Sequence, residues 1–269
     1  MVKLIKYEFM LRGKRILVFF AAVLFLIIAL NLYLRFGTNY IETTRLGISL
    51  TLLIILFVTS FGLLFIDILT AYSRELNHKE GYMLFLTPRN GWQIIGGKLL
   101  SGLLEGIVFL LYFLLLLYIE LFIVYGNASH NLILKYLEQL FYFDQQQQLA
   151  SVIAFFLFSL MLIVCIINGV VTAYAAMTVR RGFFAHNKFG PIITAVVYIA
   201  VSFIVGRLVT AGMNLFPLPS IFNLLYIDDR TAFFHVLNQV LVIYTLFLAV
   251  ATTIIFAVAG YILEKKIDL

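Results

Sequence analysis

Six long apolar runs constrain this chain more than any other feature of its sequence. Each is close to or above the roughly 20 residues that a helix needs to cross a bilayer. Apolar residues occur on all sides of each run instead of forming one stripe, which is typical of helices surrounded by lipid or protein. The sequence therefore predicts an all-α polytopic membrane protein. Its six predicted transmembrane helices cover residues 16–34, 48–72, 99–125, 149–179, 191–212 and 236–263.

The composition excludes an ordinary soluble fold. The chain has 269 residues, of which 63% are hydrophobic and 12% are charged. A soluble domain has about 45–50% apolar and about 25% charged residues. A water-surrounded fold of this size could not bury so much apolar surface, so the bilayer is the expected surroundings.

The lysines and arginines predict the orientation of the chain. Fourteen of the 19 basic residues lie in the N-terminal segment, the second loop, the fourth loop and the C-terminal tail. Loops rich in lysine and arginine remain cytoplasmic, so both termini are predicted to be cytoplasmic. This sorting explains the net charge of +6 without a nucleic-acid partner.

The segments outside the six spans have distinct expected roles in a single transmembrane domain, 1–269. Residues 1–15 mix apolar and basic side chains, which is typical of a helix in the lipid headgroup plane. The outer loop 126–148 contains an amphipathic, aromatic stretch. The outer loop 211–238 is too apolar for free solvent and is interrupted by Pro217 and Pro219, so a re-entrant or surface hairpin is expected there.

The cytoplasmic loop 73–98 is the most informative polar segment. Its end, GWQIIGGKL, looks like a phosphate-binding loop. Such a loop needs one glycine, then four residues of any type, and then Gly-Lys followed by Ser or Thr. Here the Gly-Lys pair comes one residue late, and Leu99 occupies the hydroxyl position. The pattern instead predicts a short helix, a stop at Pro88 and a new helix that starts near Gly91.

The same loop has an apolar patch that needs cover from a membrane or from a partner protein. Together with both ends of the chain, this loop contains a recognisable set of short motifs: Glu75, Lys79-Glu-Gly81, Met83-Leu-Phe-Leu-Thr-Pro88, Trp92-Gln-Ile-Ile95, Gly97-Lys98, the N-terminal Lys6-Tyr-Glu-Phe9 and the tail Glu264-Lys-Lys266. In these residues the sequence resembles the permease subunits of bacterial type-two ABC exporters. The resemblance covers the six-span layout of the whole chain and about 25 residues in detail.

The resemblance implies a function and a set of partners. The chain would be one permease in a bacterial plasma-membrane exporter, paired with a second permease that is identical or homologous and with two copies of a separate ATPase. It would bind no cofactor itself, because ATP and magnesium would belong to the ATPase. The short fourth loop, 179–190, would add a second contact. The residues expected to dock the ATPase are Glu80, Gly81, Tyr82, Met83, Leu84, Phe85, Leu86, Arg180, Arg181 and Phe183.

Three carboxylates within or at the edges of the spans are candidate intramembrane polar residues: Asp67, Glu105 and Glu120. Ionisable residues at such positions are often functional. Asp67 and Glu105 lie near the predicted inner ends of their spans and Glu120 lies near an outer end. Because none is near the midplane, each is expected to reach water or a basic neighbour such as Arg74 or Lys98, and structural pairing is the favoured interpretation.

Catalytic and metal sites are not expected. The histidines fall in four different loops without clustered ligands, and no serine has the setting of a nucleophile. The chain is therefore predicted not to be an enzyme. The aromatic content favours a hydrophobic or amphipathic cargo, such as a peptide toxin, a bacteriocin or a drug. The alternatives are a self-powered secondary transporter or channel and, less favoured, an intramembrane enzyme.

Overall fold

The computed structural model describes residues 2–36, 42–77, 91–125, 145–184, 189–216 and 230–265. All secondary structure in these ranges is helical. The helices are α1 (Val2–Phe36), α2 (Glu42–Asn77), α3 (Gly91–Tyr125), α4 (Gln145–Phe183), α5 (Gly190–Asn214) and α6 (Arg230–Lys265).

Each of the six helices contains a segment long and apolar enough to cross a membrane, so the predicted all-α, six-span architecture is confirmed. Many large apolar side chains point away from the protein, including Phe25, which is 71% exposed, and Phe156, which is 67% exposed. Lipid is the natural cover for such side chains, because in a bilayer an exposed apolar side chain is already in an apolar surrounding.

Several helices are longer than their apolar runs. Helix α1 includes the N-terminal segment, which runs without a break into the first span. The polar residues 73–77, expected to begin a separate short helix, instead continue α2. Helix α4 extends through Arg180 and Arg181 into the expected fourth loop, and α6 begins at Arg230 instead of near residue 236. Backbone hydrogen bonding continues a helix past its apolar residues, and basic side chains at a helix C-terminus favour that continuation.

The chain divides into two compact units. The first unit contains Met1–Thr70 and Gly97–Glu138, and the second contains Ala71–Gly96 and Gln139–Leu269. The core of the first unit joins α1, α2 and α3 through Val23, Leu53, Phe109, Phe113 and neighbouring aromatic rings. Phe20 and Tyr112 stack there with ring centroids 4.1 Å apart.

The second unit is built on contacts of α4 with α5 and α6, and of α5 with α6. Its core includes Val205, Val209, Leu248 and Ala251. Small and polar residues supplement these apolar contacts: Asn168 of α4 donates a 2.8 Å hydrogen bond to the hydroxyl of Thr252 on α6. Such interhelical hydrogen bonds stabilise packing where the hydrophobic effect contributes little.

Candidate functional site

The expected docking residues from Glu80 to Leu86 lie outside the described residues, but both sides of their loop are described. Helix α2 ends at Asn77, and α3 begins at Gly91, as the Pro88 stop and the following helix start predict. Residues 71–77 and 91–96 both belong to the second unit. The two described ends of the loop are therefore fixed by contacts within one unit.

The end of α2 is held by Tyr72, which is 1% exposed. Its hydroxyl oxygen lies 2.7 Å from the hydroxyl oxygen of Thr178 on α4. The centroid of its ring lies 4.2 Å from the ring centroid of Tyr174. Thr178 has one proton and donates it to the carbonyl oxygen of Tyr174, 2.8 Å away. Tyr72 is therefore the donor to Thr178, because each hydroxyl has a single hydrogen.

The start of α3 is held by a close approach to α6. A Cβ atom added at Gly91 would lie only 2.7 Å from the carbonyl oxygen of Gly260. Beside this approach, the indole Nε1 of Trp92 donates a 3.2 Å hydrogen bond to the carboxylate of Glu264. A Cβ added at Gly260 would in turn lie 3.0 Å from the Trp92 ring. Glycine at both positions lets the two backbones and the indole ring fit together.

The basic residues of the expected second contact lie at the end of α4 in the same unit. Arg180 and Arg181 are half-buried, and Phe183 is 57% exposed. The guanidinium of Arg180 packs on Gly190 at the start of α5, where its Nη2 atom fills the space that an added Cβ would need. Thr178 precedes Arg180 by two residues, so the hydrogen bond from Tyr72 brings the end of α2 close to this segment. The structure therefore places Arg180, Arg181 and both loop ends in one unit.

Sequence reasoning missed the contacts that hold this arrangement. At Gly102, on the same helix as Gly91, the nearest neighbours of an added Cβ would be side-chain atoms of Ile68, the first at 3.1 Å. The backbone contact is at Gly91 and Gly260. The position of Gly260 late in an apolar helix indicates a close contact with another helix. Nothing in the sequence indicates which helix makes that contact.

The three intramembrane carboxylates separate into two places within the first unit. Asp67 and Glu105 line one cavity of about 180 Å³, together with Ser60, Phe19 and Phe109. Glu105 is 4% exposed, and Asp67 is half-buried. This shared cavity was not expected from their positions on two different spans.

Glu120 lies apart from the other two carboxylates and lines a different cavity, of about 160 Å³. It is 1% exposed. Its Oε2 accepts a 2.9 Å hydrogen bond from the amide of Asn31 on α1. Its partner is thus a neutral amide that the sequence had not indicated.

The second unit contains a larger cavity of about 300 Å³ between α4, α5 and α6. Its polar lining comes from Cys165, Asn168, Ser202, Thr210 and Tyr244, and the remaining lining is apolar. Cys165, the single cysteine of the chain, is half-buried and lines this cavity. Apolar walls with a few polar groups suit an amphipathic molecule.

Within the described ranges, no group of three or more His, Cys, Asp and Glu side chains could hold a metal ion. Comparisons with protein-family models, curated proteins and solved structures found no match to this chain.

Proposed function

We propose that this chain is the permease subunit of an ATP-driven exporter and that its cytoplasmic loop docks a separate ATPase. The observation that carries the proposal is the way the loop is held. Tyr72 fixes its first end to α4, and Gly91 fixes its second end to α6. A loop held at both ends can transmit a push from a bound partner to the helices, whereas a freely hinged loop would absorb it.

The apolar patch Tyr82–Leu86 supplies the docking surface in this proposal, and Glu80 and Gly81 precede it. Arg180, Arg181 and Phe183 supply the second contact. Their two guanidinium groups suit an acidic rim on the partner, because arginine forms strong paired hydrogen bonds with carboxylates. ATP and magnesium would bind to the ATPase, since the Gly96-Gly97-Lys98 stretch of this chain lies within helix α3.

The assembly would contain two permeases, identical or homologous, and two ATPase subunits in a bacterial plasma membrane. ATP binding would draw the two docking loops together and bias the permeases between two states. A hydrophobic or amphipathic cargo, such as a peptide toxin, a bacteriocin or a drug, fits the apolar and polar lining of the 300 Å³ cavity.

Co-purification tests the proposal directly. Tagged chain is extracted from its native membrane in mild detergent, and its associated proteins are identified by mass and tested for ATP hydrolysis. We expect a stoichiometric soluble ATPase. Leu84→Asp should leave the chain in the membrane and release the ATPase, because a charge on the apolar patch opposes burial at an interface.

Leu134→Asp is the matched control, since it makes the same change in the outer loop, on the side predicted to face away from the ATPase. Wild-type levels of ATPase with Leu84→Asp would contradict the docking assignment. Release by both variants would point to a general loss of folding instead of a loss of docking.

A self-powered carrier is the second candidate, and the cavity shared by Asp67 and Glu105 favours it. Two carboxylates at one cavity could bind and release a coupling ion. In that case the chain would purify without an ATPase and would transport when reconstituted alone. Glu105→Gln would then abolish transport, whereas Leu84→Asp would not.

A further inference from the structure

We propose that Glu120 is the anionic end of a binding site for a small hydrophobic amine. The site lies in the first unit, near the end of α3. It goes beyond the proposed function, because it needs neither an ATPase nor the loop that would dock one.

The first observation is an unmatched carboxylate oxygen. Among the described residues, Oε1 of Glu120 has no hydrogen-bond partner, although the atom is buried. A buried carboxylate oxygen without a donor is unfavourable, because transfer of a polar group from water into an apolar surrounding costs free energy that only a hydrogen bond offsets. A ligand that brings a donor and a positive charge would remove this penalty.

Asn31 explains why the second oxygen stays unmatched. Its amide nitrogen donates one hydrogen bond to Oε2 of Glu120, at 2.9 Å, and another to the carbonyl oxygen of Ile27, at 3.0 Å. An amide nitrogen has two hydrogens, so Asn31 has no further hydrogen for Oε1. The same contact fixes the orientation of the carboxylate.

The second observation is the cavity that Glu120 lines. Its volume is about 160 Å³, comparable with an apolar cavity of about 150 Å³ in another protein that accepts benzene. Apart from Glu120 and Ser49, its lining residues are Leu26, Ile27, Leu52, Leu53 and Leu56. One carboxylate at an otherwise apolar cavity suits an ammonium group with a short hydrocarbon tail.

The lining also argues against a metal ion. Calcium needs six to eight oxygen ligands and magnesium needs near-octahedral oxygen coordination. Five of the seven lining side chains carry no oxygen. A primary ammonium needs fewer partners, and its tail gains from contact with leucine and isoleucine.

A binding measurement on the purified full-length chain in detergent tests the proposal. The probes are radiolabelled pentylammonium and 1-pentanol, which share a tail and differ in charge. We expect the wild-type chain to retain pentylammonium about tenfold or more above pentanol, after subtraction of empty micelles, because hydrogen bonds to charged groups are about twice as strong as neutral ones. Glu120→Gln, which keeps the shape and removes the charge, should abolish this preference.

Glu105→Gln is the control for a carboxylate at the other cavity, and it should retain the preference. Equal retention of the two probes by the wild-type chain would overturn the proposal, and so would an unchanged preference in Glu120→Gln. The comparison of the two probes on the wild-type chain needs no variant. It therefore tests the proposed amine site even if Glu120→Gln fails to fold. Because no ATPase is present, the result is independent of the docking experiment.

Discussion

The hydroxyl of Tyr72, near the end of α2, donates a 2.7 Å hydrogen bond to the hydroxyl of Thr178 on α4. Both side chains are buried, at 1% and 0% exposure. This bond and the ring contact with Tyr174 fix one side of the loop between α2 and α3. The contribution of the hydroxyl can be separated from that of the ring.

Tyr72→Phe removes the hydroxyl and keeps the ring. We expect a loss of about 1 kcal/mol in the free energy of unfolding, because Thr178 keeps its bond to Tyr174 but loses a donor. The single cysteine, Cys165, reports unfolding in detergent through its reaction with a thiol-sensitive dye. Tyr118→Phe is the control, since Tyr118 is 48% exposed; an equal effect of the two variants would contradict the role given to the buried bond.

Gly91→Ala should disturb the contact between α3 and α6. The new methyl group would lie 2.7 Å from the carbonyl oxygen of Gly260, and backbone atoms cannot move aside as easily as a side chain. We expect a destabilisation of about 1–3 kcal/mol and a change in the fluorescence of Trp92, the chain's single tryptophan. Gly106→Ala on the same helix is the control, because among the described residues no atom outside the adjoining backbone of that helix lies within 4 Å of its added Cβ. Unchanged stability and fluorescence in Gly91→Ala would show that the two helices are not in contact at this point.

Thr252→Val tests the hydrogen bond that Asn168 donates between α4 and α6. The expected loss is small, about 0.6 kcal/mol, which is the average for such bonds in a membrane protein. Thr253→Val is a close control: Thr253 is exposed and bonds only the backbone of its own helix, at Ala249. If Thr253→Val destabilises the chain as much as Thr252→Val, the interhelical bond contributes nothing measurable.

Gly190→Ala should displace the guanidinium of Arg180, which occupies the space of an added Cβ. The cost to stability should be below about 1 kcal/mol, because the displaced group is the end of a flexible side chain. If Arg180 contacts the ATPase, this variant should lower ATPase recovery in the same direction as Arg180→Ala. A different result is full recovery of the ATPase with Gly190→Ala and loss of the ATPase with Arg180→Ala. It would mean that Arg180 contacts the ATPase from a position other than the one it occupies on Gly190.

The six spans could be predicted because hydropathy and length alone determine them. The start of α3 at Gly91 could also be predicted, because Pro88 prevents the earlier helix from continuing and Asn90 is a suitable cap. The C-terminal end of α4 and the start of α6 were predicted less accurately. Arg180 and Arg181 are polar and ended the apolar run, yet the backbone stays helical through them.

The pairing of helices was beyond the reach of the sequence. Spans that are apolar on every side give no stripe to mark a partner, so the contact of Gly91 with Gly260 and the bond of Asn31 to Glu120 are known only from the structure. The sequence singled out the three carboxylates but did not indicate their surroundings. The packing of α1, α2 and α3 in the first unit determines these surroundings. It brings Asp67 and Glu105 to one cavity and leaves Glu120 at another.

The contact between Gly91 and Gly260 also has a consequence for biosynthesis. The two glycines are separated by most of the chain, so Gly91 and Trp92 leave the ribosome well before the surface that will cover them. Until α6 has been synthesised and inserted, the second end of the loop has nothing to hold it. A nascent or truncated chain would therefore present an unsupported loop, and only a fully translated chain would hold the loop at both ends.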